Sequence, residues 1–162
     1  MRRLTNTLFQ LSLAGALALG ASAAATAEDN GYGKQKVVYH INSYGAEEQK
    51  AALRNVQNHI NAVGAKNLDL RVVLHGDGLS LLLEPDAVAD TKMKEGNADE
   101  QMEARIAGLK EQGVKFEICA NTLKGRNVAL DDLYDADQAD VVPSGVAELA
   151  KLGGQGFSYI KP

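Results

Sequence analysis

The chain has 162 residues, a formal net charge of −4 and 45% hydrophobic residues, enough for one folded domain with its own core. Acids outnumber bases and no basic cluster stands out, which excludes nucleic acid as an expected partner, since that binding is driven by cationic neutralisation of phosphate. With one cysteine the chain cannot close an internal disulfide.

Residues 1–27 have the layout of a secretory signal peptide. Arg2 and Arg3 give a positive start, residues 11–19 are apolar, and Ala25-Thr26-Ala27 places small residues before a cleavage point. We expect export to the periplasm with cleavage after Ala27. An uncleaved anchor competes with this reading, but the apolar core is short of the ~20 residues of a membrane span. Gln10 and Ser12 also interrupt its approach. After cleavage no membrane association is expected, and loss of the two arginines takes the charge from −4 to −6. Residues 28–35, polar with Gly31 and Gly33, read as a flexible lead-in to a single domain over 36–162.

Within that domain, residues 36–41 form a β-branched run that predicts a buried strand. Leu53, Val56, Ile60 and Val63 recur at helical spacing until Gly64. Residues 68–75 predict a second strand, followed by the turn Gly76-Asp77-Gly78 and a short apolar piece over 79–83. Residues 84–96 read as loop with a helical turn. Asn97 and Glu100 form a capping pair for a helix whose core stripe is Met102, Ile106 and Leu109, ending at Gly113. A third strand is expected over 114–119, mixed helix and loop over 123–133, and a fourth strand at Val141-Val142. Ser144 then caps a helix carrying Val146 and Leu149, and residues 157–160 form a last strand. Strands alternating with helices imply βαβ units, and so a three-layer α/β/α domain with a mainly parallel five-stranded sheet.

Ligands of such sheets bind outside the carboxyl ends of the strands. His40, His75 and Cys119 fall near the ends of the first three strands, and these are two of the three histidines and the sole cysteine. A thiol between a strand end and a helix start feels the positive end of the helix dipole, which favours thiolate. A neighbouring imidazole can take its proton. Asn121 and Thr122 behind it are helix-starting types that also present N–H donors to the sulfur. His40 competes with a role inside an apolar run, His59 reads as structural or surface, and Asp77 as turn-shaping. Cys119 itself could instead be a small buried hydrophobe. No dinucleotide fingerprint, phosphate loop, Cys-x-x-Cys or Gly-x-Ser-x-Gly is present. A copper or zinc site from His40, His75 and Cys119 has suitable ligand types but no ligand spacing, so neither metal nor other cofactor is expected.

Several pieces together resemble one family. They are Lys36-Val37-Val38-Tyr39-His40-Ile41, the stretch 72–78, the stretch 113–123 with Cys119-Ala120-Asn121-Thr122-Leu123, the stretch 142–149, and Gly156-Phe157-Ser158-Tyr159-Ile160-Lys161-Pro162. In this order they resemble the DsrE/DsrF-like sulfur-carrier proteins over nearly the whole mature chain. The resemblance implies a flavodoxin-like subunit assembled as a homotrimer or hexamer. It also implies that Cys119 takes sulfane sulfur as a persulfide and hands it on, a carrier without independent turnover whose donor and acceptor the sequence does not identify. A signal peptide departs from the cytoplasmic setting of the better-understood relays in that family. The competing reading is a non-enzymatic periplasmic oligomer binding a small ligand or metal ion.

Overall fold

Val37, Val38, Tyr39 and Ile41 make the first strand, β1 (Gln35–Ile41), a segment that is stable only when both faces are covered. The computed structural model describes residues 31–162, so the signal-peptide expectation and residues 28–30 of the lead-in lie outside the described residues. The remaining strands are β2 (Leu68–Leu74), β3 (Lys115–Cys119), β4 (Val141–Val142) and β5 (Ser158–Ile160). All pairings are parallel, in the order β4-β3-β2-β1-β5. The expected five-stranded α/β sheet is therefore present. Its order differs in detail from the 2-1-3-4-5 of flavodoxin itself.

Four helices connect the strands: α1 (Ala46–Val63), α2 (Glu100–Glu111), α3 (Ala120–Arg126) and α4 (Gly145–Gly154). The first three connections all step in one direction across the sheet, from β1 through to β4. Right-handed crossovers then keep their helices on one face. The connection from β4 to β5 runs back past β1, so its helix, α4, belongs on the other face. The packing agrees. Val37, Tyr39, Ile41, Leu70, Val72, Leu74, Phe116 and Ile118 form one large cluster with Leu53, Val56, Ile60, Met102, Ile106 and Leu109 from α1 and α2. Strand alternation sends Val38 and Val73 to the opposite face, where they meet Leu152 of α4 and Phe157. On α4, Leu152 is the buried hydrophobic side chain, Gly145 and Glu148 are buried as well, and Val146 points outward.

One local expectation is corrected. Asn97 does not cap α2. Asp99 does, its carboxylate accepting from the Met102 N–H at 2.8 Å. Asn97 instead donates from its buried amide to Gln49 Oε1 at 2.9 Å and Ser80 Oγ at 3.2 Å. Gln49 Nε2 donates in turn to the Ser43 carbonyl and to Ser80 Oγ, both at 2.8 Å. A long-range buried network thus outcompetes the local cap. The apolar piece expected over residues 79–83 is present: a 3-10 turn, Gly76–Leu81, carries Leu79 and Leu81 into the core, and Leu82 and Leu83 follow them.

The network ties α1 to the segment that precedes α2, and its loss leaves buried polar atoms unpaired. We expect Asn97→Ala to cost about 1–3 kcal/mol, the desolvation scale of such a group. Asp99→Ala should cost about 1 kcal/mol, as for an ordinary cap. Urea unfolding of the two variants measures the difference, and a smaller loss for Asn97→Ala would refute the assignment.

Candidate functional site

The reversal of direction after β4 creates a crevice at the carboxyl ends of β3 and β4. The chain leaves β3 into α3 on one face and leaves β4 into α4 on the other, so two helix starts meet there. Cys119 closes β3 and is itself the N-cap residue of α3, with a buried side chain at 4% exposure. Gly145 opens α4 against it. A Cβ built at Gly145 would stand 2.9 Å from the Cβ of His75 and 3.3 Å from the Cβ of Cys119. Glycine there lets the backbone pack between the two side chains, so the strand-end histidine and the thiol share one neighbour.

Burial pushes the Cys119 thiol up. The Gly145 N–H, the Thr122 hydroxyl and the N–H groups of Thr122 and Asn121 together outweigh it, and the thiol sits below its ordinary value of 9.0. Thr122 is buried, and its Oγ1 accepts the Gly76 N–H at 2.8 Å. The hydroxyl proton is thereby left for the sulfur. Asn121 and Thr122 were expected as side-chain caps of the following helix; neither is one. The helix starts a residue or two earlier than that reading requires, so Asn121 contributes its backbone N–H from an exposed position and Thr122 its hydroxyl.

His40 and His75 are in direct contact. His40 Nε2 lies 2.8 Å from His75 Nδ1, and the rings stack with centroids 4.9 Å apart. The other nitrogen of His40, Nδ1, lies 2.8 Å from the hydroxyl of Tyr159 on β5. Sequence reading missed Tyr159 and Gly145. Tyr159 is brought alongside by the pairing of β5 with β1, in which Val38 faces Tyr159, and nothing in the local pattern near residue 159 announces it. His40 is buried, and burial first, then the charges of His75 and Lys161, hold its imidazole down at about 4.

The remaining candidates have structural partners. His59 bonds the Tyr39 hydroxyl at 3.1 Å and Gln35 Oε1 at 2.8 Å. Asp77 is ion-paired with Arg126 at the end of α3. No group of three or more His, Cys, Asp or Glu side chains comes together as a metal site among the described residues, and the His40 and His75 nitrogens that face each other already use each other as partners. A cavity of about 30 Å³ lined by His40, Asn42, Ser43 and Lys161 borders the pair. It has room for one water-sized guest.

A parallel α/β sheet carrying a thiol with lowered pKa at a strand end and a histidine pair beside it defines the class. The chain matches the family model of the DsrE/DsrF-like family over residues 35–162 and belongs to that family. Among solved structures it is similar to MTH1491 from Methanobacterium thermoautotrophicum, a protein of unknown function. The identity is 26%, with 80% of this chain and 100% of that chain covered, and the TM-score is 0.63. It shares its fold with the YchN protein of E. coli, at 21% identity and a TM-score of 0.55 over 80% of this chain and 99% of that one. No curated protein matches the chain.

Two outcomes follow from these electrostatics. Alkylation of Cys119 by iodoacetamide should rise with a midpoint below that of an ordinary thiol, because the thiolate is the reacting form. Thr122→Val should move that midpoint upward; an unmoved midpoint would remove the hydroxyl from the account. His40 contributes to the pH dependence of stability. Its unfolded value is 6.5 and its folded value about 4, so the contribution of the neutral ring is complete above 6.5 and is lost as the pH falls through about 4. Wild type should therefore lose more stability than His40→Gln between about pH 7.5 and about pH 4.5, read as unfolding midpoints. Equal losses would contradict it.

Proposed function

We propose that the protein is a periplasmic sulfur carrier in which Cys119 accepts sulfane sulfur as a persulfide and passes it to a partner's thiol. The observation that carries this reading is the thiol held below its ordinary value between the starts of α3 and α4 in a DsrE/DsrF-like chain. The thiolate attacks the sulfane sulfur of a polysulfide, persulfide or thiosulfate donor. A Cys119 S–S bond forms, the donor's own S–S bond breaks, and the remainder leaves as hydrosulfide or a shorter polysulfide, as a thiolate, or as sulfite, according to the donor. An acceptor thiolate then attacks the outer sulfur and releases Cys119 as thiolate. The cycle as a whole leaves Cys119 in its starting oxidation state, so no bound redox cofactor is required.

His75 supports the step as the group beside the sulfur that can hold the displaced proton. The Gly145 N–H, fixed at the opening of α4, is placed to stabilise the negative charge that a persulfide retains. At 4% exposure the sulfur favours a slim donor chain over a bulky one. A small ligand at the strand ends fits less well, because the cavity beside the histidine pair is about 30 Å³, against roughly 300–1,000 Å³ for an ordinary ligand pocket; a hollow of about 590 Å³ lies away from the thiol, lined by Lys36, Asp69 and Gln155. Export by residues 1–27 with cleavage after Ala27, and assembly as a homotrimer or hexamer, are part of the same reading. The layout of the N-terminal segment supports the first and family membership the second.

Intact-mass spectrometry of protein recovered from the periplasm tests it, after incubation with polysulfide and with or without reductant. We expect a mass that begins at Glu28 and a reductant-sensitive gain of one sulfur atom, absent in Cys119→Ser. Undiminished loading of Cys119→Ser would overturn the assignment.

A further inference from the structure

We propose that Tyr159, His40 and His75 form a proton relay between the sulfur of Cys119 and solvent, in which both imidazoles pass one proton by exchanging tautomers together. This inference rests on the sulfur-carrier reading only for its purpose, since the relay itself is read from the hydrogen-bond geometry. Two contacts of 2.8 Å join three side chains from three strand positions in series: the Tyr159 hydroxyl to His40 Nδ1, and His40 Nε2 to His75 Nδ1. Each contact needs one proton between its two heavy atoms. A neutral imidazole has one N–H and one acceptor nitrogen, so the series has two self-consistent arrangements.

In the first arrangement His75 Nδ1–H donates to His40 Nε2, and His40 Nδ1–H donates to the Tyr159 oxygen. The Tyr159 proton then points to water, and Nε2 of His75 is a free base. In the second, Tyr159 O–H donates to His40 Nδ1 and His40 Nε2–H donates to His75 Nδ1, so Nε2 of His75 carries a proton. Going from the first to the second takes one proton in at His75 Nε2 and releases one proton from the Tyr159 hydroxyl. The N–H bond broken on each ring is replaced by one formed on its other nitrogen. The thiol proton leaves, the thiolate remains, and His40 bears no charge in either arrangement.

That balance suits this site. His40 is buried, and a charged ring there is disfavoured by burial and by the neighbouring His75 and Lys161. An imidazole that cannot hold a proton of its own can still pass one along. The solvent end is open, because Tyr159 is 55% exposed on the edge strand β5. At the other end, Leu74 pairs with Ile118, so His75 and Cys119 follow as neighbours on adjacent strand ends, and the β-carbons of both lie against Gly145. Glu48 also lines the cavity beside His40, and several other charged groups on the surrounding elements are paired. Lys161 bonds Asn42 Oδ1, Arg71 pairs with Asp69 and Glu117, Glu148 with Lys151, and Asp77 with Arg126. Tyr159 and His40 are thus positioning residues that act on the thiol through His75.

The test is long-range ¹H–¹⁵N correlation on the full chain with labelled histidine, across the pH range in which ultraviolet absorbance reports Cys119 ionisation. We expect both rings to change from Nδ1–H to Nε2–H at the thiol's own midpoint, with no imidazolium signature at His40. Cys119→Ser should keep both rings in the Nδ1–H form throughout. Tyr159→Phe, with circular dichroism confirming the fold, should leave His40 in one tautomer across the titration. Tautomers that stay fixed in wild type through the thiol transition would overturn the relay, as would a swap that persists in Cys119→Ser. Sulfur loading without the swap removes the relay and leaves the carrier; the swap without loading supports the relay and removes the carrier.

Discussion

The handedness of the strand–helix–strand crossover, applied to a last strand laid on the far side of the first, brings two helix starts to one sulfur. Had β5 added beyond β4, α4 would have followed the other helices onto the same face. Because β5 pairs with β1, α4 must cross over, and the gap between the ends of β3 and β4 opens on both sides. Cys119 closes one of those strands and Gly145 begins the helix that follows the other. The chemistry of the site is set by topology before any side chain is chosen.

What the side chains then decide is a contest between burial and hydrogen bonding. A thiol at 4% exposure would ordinarily resist ionisation. Here several short-range donors, most of them backbone N–H groups, work against burial and prevail. Backbone donors cost no side-chain entropy to hold in place, and those from α3 and α4 arrive from opposite faces of the sheet. Thr122 contributes because its oxygen is already occupied by Gly76, which fixes the direction of its proton. The opposite balance holds at His40, where burial and neighbouring positive charge combine to keep the ring neutral.

Much of this was legible in the residues. The three long strands, the core stripe Met102, Ile106 and Leu109 and the cap at Ser144 follow from periodicity and capping chemistry, and all are present. The placement of His40, His75 and Cys119 at strand ends follows from the same signals. What escaped depends on contacts distant in sequence. Asn97 has the spacing of a cap, but its amide is claimed by Gln49 and Ser80 from elsewhere in the chain, and Asp99 takes the position. Asn121 and Thr122 looked like caps because they are helix-starting residue types and helical structure was expected only from residue 123. The chain passes from β3 directly into α3. Tyr159 could be found only by knowing that the last strand lies beside the first.

That adjacency separates the durability of the fold from that of the site. His40 meets Tyr159, Lys36 meets the Gln155 carbonyl, and Lys161 meets Asn42, each across 119 positions of chain. Such closures are the entropically most expensive in the molecule. The strand at their centre, β5, is three residues long, at an edge, and exposed at Ser158 and Tyr159. Edges of this kind open locally at a small fraction of the global unfolding free energy. When β5 lifts, the large cluster formed by α1, α2 and the first three strands keeps its packing, and the thiol keeps its backbone donors. His40 loses Tyr159 all the same, while its contact with His75 does not involve β5. The molecule can therefore be fully folded by every bulk measure while its histidine pair is cut off from the edge strand, and that link would fade with temperature well before structure does.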